Sequence, residues 1–299
     1  MRVNRFSTEL TAFVVAATGI ATFSAMDAVM KGLALAIGAY NTVLWRTLIA
    51  IPLSGLLFVL ARGKRPSGAA MRVHVIRGAI TSVMSVLFFW GIARLPIAEA
   101  VALSFVAPII ALYLAALLLG ESIGPRAISA SVLGLAGVLL IMSGQWAGSD
   151  KAGDLAGAVA ILASAALYAY NIVLMRQQAL LASPQEVAFF QSLIVAPFLA
   201  LAAPFLAVVP SADHLPALTM AATLGLTSLV LLAWAYRRAE AQYLATVEYT
   251  ALVWGALFGY LVFGEQVGIT TVAGAALIVL GCVIAARGGR QPLSPAEAV

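Results

Sequence analysis

Three ionisable residues stand close together in otherwise apolar sequence near the start of the chain. Asp27 and Lys31 are four residues apart, which places them on one face of a helix, and Arg46 follows a short turn at 37–40. Charged groups within apolar helices are costly and are candidates for function. Their carboxylate, ammonium and guanidinium suit a gate, or a grip on the two ends of a zwitterion. They equally suit a static ion pair, with Lys31 reaching towards the interface.

Two more carboxylates fall within apolar stretches. Glu248 has Tyr249 and Trp254 close by, which favours a site for a substrate amine or a proton. The structural alternative is a carboxylate hydrogen-bonded to a neighbouring helix. Glu99 lies nearer the end of its stretch and is the weaker candidate.

Aromatic and amide side chains complete the set of candidates. Trp90 and Trp234 could form an aromatic wall that makes cation–π contact with an ammonium group, or could anchor helix ends at the membrane interface. Tyr168 and Asn171 offer hydrogen-bonding groups in the middle of a helix. We interpret the Gly-Glu pairs that contain Glu121 and Glu265 as turns that end helices.

The elements that must position these residues are membrane-spanning helices. The chain of 299 residues is 63% hydrophobic and only 10% charged, whereas soluble domains carry about 25% charged residues. About 20 apolar residues cross a bilayer as a helix. The sequence predicts an all-α membrane protein with ten spans, at 10–35, 41–61, 72–94, 97–119, 126–145, 153–176, 185–207, 214–236, 242–263 and 269–287.

The chain also repeats itself at an offset of 144 residues. The residues that recur are Trp90, Arg94, Gly120, Glu121, Gly124 and Gly137, as Trp234, Arg238, Gly264, Glu265, Gly268 and Gly281. This recurrence indicates internal duplication. It predicts a five-helix repeat over 1–147, a second over 148–287, and a disordered cytoplasmic tail over 288–299.

The positive charges predict the orientation of the spans. With the N-terminus in the cytoplasm, the inner segments hold 13 of the 17 Lys and Arg residues, including the cluster between 62 and 77. Both termini are then cytoplasmic. Because each half has an odd number of spans, the second half enters the membrane upside down, as in transporters with inverted repeats.

Small residues predict where helices touch in lipid. Gly255 and Gly259 are four residues apart in span nine, and their repeat counterparts are Ala111 and Ala115 in span four. We expect spans four and nine to meet through these faces. The alternative is that Ala and Gly are simply frequent in this chain.

The run ARLPIAEAVALSFVAPIIALYLAALLLGE (93–121), with the Gly-Glu pair closing each half, resembles the drug/metabolite transporter superfamily of the EamA type. The resemblance covers nearly the whole chain. It implies two five-helix repeats and the export of amino acids or other small metabolites, and overall it is most similar to amino-acid exporters of the YddG type. The second half departs from the pattern, because Leu252 stands where the first half has Pro108.

Several classes of function lack the residues that they need. There is no GxxxxGK[ST], HExxH or GxSxG run, and two histidines and one cysteine leave little for metal or thiol catalysis. We expect no enzyme activity, no cofactor, no metal, no nucleic-acid partner and no ATPase subunit. A channel is the rival, although no ring of charges or filter sequence is present.

The resulting hypothesis is a monomeric secondary transporter of the cytoplasmic membrane. It exports small metabolites, with amino acids, including aromatic and hydrophobic ones, as the first choice. The two halves rock about a central cavity that spans one, three, four, six, eight and nine line. The alternative is a transporter or channel for another small solute, such as a drug, a nucleoside or a sugar phosphate.

Overall fold

The fold is nearly all helical. The computed structural model describes residues 2–107, 109–111, 113–114, 125–145, 151–236, 247 and 250–288. The first half contains α1 (Arg2–Ile37), α2 (Ala39–Leu60), α3 (Gly68–Ile92), α4 (Ile97–Ser104) and α5 (Pro125–Gln145). The second half contains α6 (Lys151–Leu181), α7 (Pro184–Ala200), the short α8 (Ala203–Leu206), a 3₁₀ turn (Ala212–His214), α9 (Leu215–Tyr236), α10 (Thr250–Phe263) and α11 (Ile269–Gly288).

Local sequence explains several helix boundaries. Gly38 separates α1 from α2 because its φ of 82° is readily available only to glycine. Ser67 and Ser183 begin α3 and α7, since each hydroxyl accepts a backbone N–H of the first turn, from Ala70 and Glu186. The end of α4 at Ser104 comes four residues before Pro108, which has no N–H to offer the Ser104 carbonyl.

Five described helices are long and apolar enough to cross a membrane. They are Thr11–Ile37, Ala39–Leu60, Gly68–Ile92, Asp154–Met175 and Ala212–Leu232, and four shorter apolar helices accompany them. Many apolar side chains point outwards, among them Leu56, Val132 and Leu261, as in a protein whose solvent is lipid. The chain is therefore a multi-pass membrane protein.

Helix contacts between the halves come in matched sets. Helix α1 packs against α9, and the repeat counterparts of these two helices, α6 and α3, pack against each other. Two further contacts join counterparts directly, α5 with α11 and α2 with α7, and α4 of span four contacts α10 of span nine. Every main contact between the halves thus has an image under exchange of the repeats.

The glycines show how close some of these contacts are. A Cβ on Gly137 of α5 would lie 2.5 Å from the Gly274 carbonyl oxygen of α11, and a Cβ on Gly274 would lie 2.6 Å from the Gly137 oxygen. The two backbones therefore touch. Gly255 of α10 faces Ile97 and Val101 of α4.

The other residues of the predicted contact between spans four and nine have different neighbours. Gly259 leaves room for the Glu265 side chain, and Ala111 packs with Ala165 and Ala169 of α6. Ala115 lies outside the described residues. Spans four and nine do meet, through Gly255 and the first turns of α4.

The bundle has two ends. The basic end carries residues 61–67, which join α2 to α3 and include Arg62, Lys64 and Arg65. The opposite end carries Gly38, residues 93–96, the 201–214 connection and residues 264–268.

Candidate functional site

Asp27 of α1 and Arg46 of α2 carry opposite formal charges and lie near each other in the apolar interior. Asp27 is only 3% exposed, and Arg46 is partly buried. Within the described part of the chain, Asp27 Oδ1 accepts no hydrogen bond and Arg46 Nε donates none. Leaving buried polar atoms unpaired costs about 1–3 kcal/mol for each group. A polar ligand that supplied partners to these atoms would remove this cost.

Helix α9 closes the third side of this pair. Arg46 Nη1 lies 3.6 Å from the Met26 sulfur, a weak contact, and a Cβ on Gly225 of α9 would lie 3.5 Å from the same nitrogen. The Thr47 hydroxyl, next along α2, is also buried without a partner among the described residues. The charged pair therefore lies where spans one, two and eight meet, with spare hydrogen-bonding capacity on both charges.

Lys31 is engaged elsewhere, at the opposite end. Its ammonium donates to the Glu265 carboxylate and to the Leu95 carbonyl oxygen. The second Glu265 oxygen accepts the Ile97 N–H at 2.8 Å, at the first turn of α4. The three charges near the N-terminus thus separate into the Asp27–Arg46 pair and a Lys31–Glu265 pair that joins the halves.

Glu265 also occupies the turn that the sequence predicts. Gly264 has a φ of 68°, and the Glu265 N–H bonds back to the Gly259 oxygen at 3.1 Å, which ends α10. Its ion pair with Lys31 could not be read from the sequence, since the partners are 234 residues apart.

Three more hydrogen bonds cross between the halves at the opposite end. The Tyr40 hydroxyl donates to the Leu199 oxygen at 2.6 Å. The 201–214 connection is held through Val208, whose N–H donates to Asn41 at 2.8 Å and whose oxygen accepts from the Trp45 indole at 2.9 Å. At this end, polar side chains of α2 bind backbone of the second half.

A chain of buried polar side chains crosses between the halves at the basic end. Arg77 of α3 donates to Asn171 at 3.0 Å and to Gln178, both on α6. Gln178 bonds to His74 Nδ1, and His74 Nε2 lies 3.2 Å from a Glu186 oxygen on α7. Each of these five side chains is buried.

Of these five residues, only Asn171 is a candidate site residue from the sequence. The sequence predicts that Arg77 belongs to the basic cytoplasmic segment, whereas the structure buries it within α3. A usable signal was present: His74 and Arg77 are three residues apart and share a helix face. Gln178 and Glu186 gave no such signal, because their relation to α3 depends on tertiary packing.

The remaining candidates are spread over the bundle. The Arg94 guanidinium lies 3.4 Å from the Trp90 ring centroid, so that ring already carries a cation. Trp234 packs near the N-terminal half of α1, Glu99 is buried in the first turn of α4, and Tyr168 is partly exposed. Glu248 and Tyr249 lie outside the described residues.

Comparison with known proteins places both halves in one family. The model of the EamA-like transporter family matches residues 10–143 and 155–287. The pseudopaline exporter of Pseudomonas aeruginosa is 30% identical over 273 residues, which cover 89% of this chain and 92% of that protein. The riboflavin transporter of Rhizobium johnstonii is 30% identical over 231 residues, covering 75% of this chain and 74% of the relative.

One solved crystal structure shows the same fold. It aligns with a TM-score of 0.61 at 21% sequence identity and covers 94% of this chain and 99% of its own. At that identity the likeness concerns the fold alone.

Proposed function

The chain belongs to the EamA-like transporter family, and from that premise we propose that it exports small metabolites, amino acids first among them, across the cytoplasmic membrane by alternating access. The resemblance seen in the sequence is confirmed for the family. The relatives are transporters, and this chain is a small-molecule transporter and not an enzyme. The amino-acid substrate, the YddG type and the mechanism are our proposal.

The observation that carries the substrate class is the Asp27–Arg46 pair. A zwitterion brings a carboxylate for the guanidinium and an ammonium group for the carboxylate. Hydrogen bonds to charged groups contribute about 1.5–3 kcal/mol each. Binding would supply partners for Asp27 Oδ1 and Arg46 Nε, which have none among the described residues. This arrangement favours amino acids over uncharged solutes.

The matched contacts between the halves support an inverted repeat with ten spans. Contacts that survive exchange of the halves are expected when a pseudo-two-fold axis lies in the membrane plane. We place the basic end in the cytoplasm because Arg62, Lys64 and Arg65 lie there. Rocking of the halves would break the Lys31–Glu265 contact on the outside and the Arg77–Gln178 contact on the inside in turn.

Counterflow in proteoliposomes tests the function. Vesicles loaded with an unlabelled solute are given the same labelled solute outside, for a panel of amino acids, riboflavin, pseudopaline, nucleosides and sugar phosphates. We expect saturable exchange of at least one amino acid. Exchange of another class in the absence of amino-acid exchange would keep the transporter and discard the substrate assignment. Flux without saturation or counterflow would indicate a channel.

Variants of the charged pair test the site. We expect Asp27→Asn and Arg46→Gln to lower amino-acid exchange roughly 10- to 100-fold, since each removes one charged contact. Asp213→Asn is the matched control, because Asp213 is exposed in the 3₁₀ turn. Exchange at the wild-type rate in both site variants, at equal amounts of folded protein, would show that the pair does not bind substrate.

A further inference from the structure

The polar chain at the basic end has a fixed direction. Arginine only donates hydrogen bonds, so the Gln178 oxygen must face Arg77, and the Gln178 NH₂ group must then face His74. His74 Nδ1 is therefore an acceptor, and Nε2 carries the ring proton and donates it to Glu186. Hydrogen bonds are therefore donated from Arg77 to Gln178, from Gln178 to His74, and from His74 to Glu186. This arrangement requires the neutral form of His74.

A proton added to His74 cannot be accommodated without breaking this chain. Protonated Nδ1 becomes a donor and points at the donor NH₂ of Gln178. If the Gln178 amide turns round, it satisfies His74 but presents its NH₂ to the Arg77 guanidinium. Either way one buried hydrogen bond is lost. In the second case the hydrogen bond that is lost is the one from Arg77 of α3 to Gln178 of α6.

Charged and polar groups from several helices surround His74. Glu186 of α7 faces Nε2, and its side chain is 11% exposed at the start of α7, whereas the His74 side chain is fully buried. Arg77 of α3 lies beyond Gln178. Helix α6 contributes the neutral amides Gln178 and Asn171. Phe190 stacks on the His74 ring, 5.2 Å between centroids, and Phe58 of α2 contacts Phe190.

We propose that His74 is a proton-binding site, and that its occupation by a proton from the cytoplasm loosens the contact between α3 and α6 at the basic end. The cytoplasmic location of this end rests on the proposed function. The connection is direct, because α3 and α6 belong to different halves and the Arg77–Gln178 bond joins them. A cell whose cytoplasm turns acidic would thereby open the inner side of the transporter.

Histidine NMR tests the tautomer without any substrate. The chain has only two histidines, so ¹⁵N-histidine protein in lipid nanodiscs gives two sets of ring signals, and His214→Gln assigns them. At pH 8 we expect His74 with a protonated Nε2 and a bare Nδ1, and on acidification both nitrogens protonated. A bare Nε2 at pH 8, or a ring that stays neutral down to pH 5, would overturn the proposal.

Thiol reactivity tests the mechanical effect. Thr81 lies one turn beyond Arg77 on the same face of α3, and its buried hydroxyl has no partner in the described part of the chain. Thr81→Cys in a Cys282→Ser background therefore adds a reporter at small cost. Inside-out vesicles are treated with an impermeant maleimide at pH 6 and pH 8. At each pH, the labelling rate of the protein that retains His74 is divided by the labelling rate of the His74→Gln variant. Because both proteins carry the same reporter thiol, its thiolate fraction cancels in this ratio.

We expect this ratio to rise at least fivefold from pH 8 to pH 6, within the roughly 5- to 150-fold range of coupling between sites. When the His214→Gln variant replaces the His74→Gln variant in this comparison, the ratio of labelling rates should stay near one. Glu186→Gln is the second variant: without the carboxylate opposite Nε2, the same gain in reactivity should need a more acidic medium. An unchanged ratio for both His74→Gln and Glu186→Gln would overturn the proposal. Labelling from the outer face alone would contradict the orientation instead.

Discussion

At the level of individual residues, the Lys31–Glu265 ion pair differs from the neighbouring residues Asp27 and Arg46 in how completely the polar atoms are hydrogen-bonded. Lys31 donates to Glu265 and Leu95, and the other Glu265 oxygen receives the Ile97 N–H, one of the free donors that begin a helix. Asp27 and Arg46 retain atoms without partners in the described structure. The first arrangement therefore joins the two halves, and the second leaves atoms that the proposed substrate would bind.

Replacing Glu265 by glutamine should destabilise the protein. A carboxylate accepts from Lys31 and Ile97 through two oxygens, whereas an amide has one, so Glu265→Gln leaves one buried donor unpaired, at about 1–3 kcal/mol. Thermal unfolding in detergent measures the loss. The double variant Lys31→Met/Glu265→Gln should recover part of it, because the buried ammonium is then absent. Equal losses in the single and double variants would contradict the pairing.

Among the helices, the closest approach is between α5 and α11. Their backbones touch at Gly137 and Gly274, which fits helix association in lipid, where packing and not the hydrophobic effect holds helices together. Backbone cannot move aside as a flexible side chain can. This crossing therefore fixes the distance between the C-terminal helices of the two halves.

A single methyl group at this crossing should measure its rigidity. We expect Gly137→Ala to lower the free energy of unfolding by about 1–3 kcal/mol, because its Cβ meets the Gly274 oxygen at 2.5 Å. Gly68→Ala is the matched control, since a Cβ there meets nothing within 4 Å. Both are compared by thermal unfolding in the same detergent. A loss no larger than that of the control would show that the helices can move apart freely.

Helices were easier to predict than the contacts of their side chains. The predicted span 72–94 corresponds to α3, which begins earlier, at Gly68, because Ser67 caps it. Asp27 and Arg46 could be selected because charge in an apolar helix is rare. The pairing of Lys31 with Glu265, and of His74 with Glu186, depends on tertiary packing between the halves, which a local pattern does not contain.

For the whole molecule, the two ends of the bundle face different compartments because the long apolar helices cross the membrane. In a Cys282→Ser background we expect Ser211→Cys, exposed in the 201–214 connection, to react with an impermeant maleimide added to intact cells. Lys64→Cys at the basic end should react only in inside-out vesicles. Reaction of both from the same side would exclude the proposed topology.

The contacts between counterpart helices bear on the ancestry of the chain. Helix α5 meets α11, α2 meets α7, and α4 meets α10, so each half covers the other with the surface that a second copy of itself would offer. We propose that an ancestral gene encoded one repeat, whose product formed a homodimer with these same contacts. Fusion of two such genes would leave each half free to change alone, and the first half now has Pro108 where the second has Leu252.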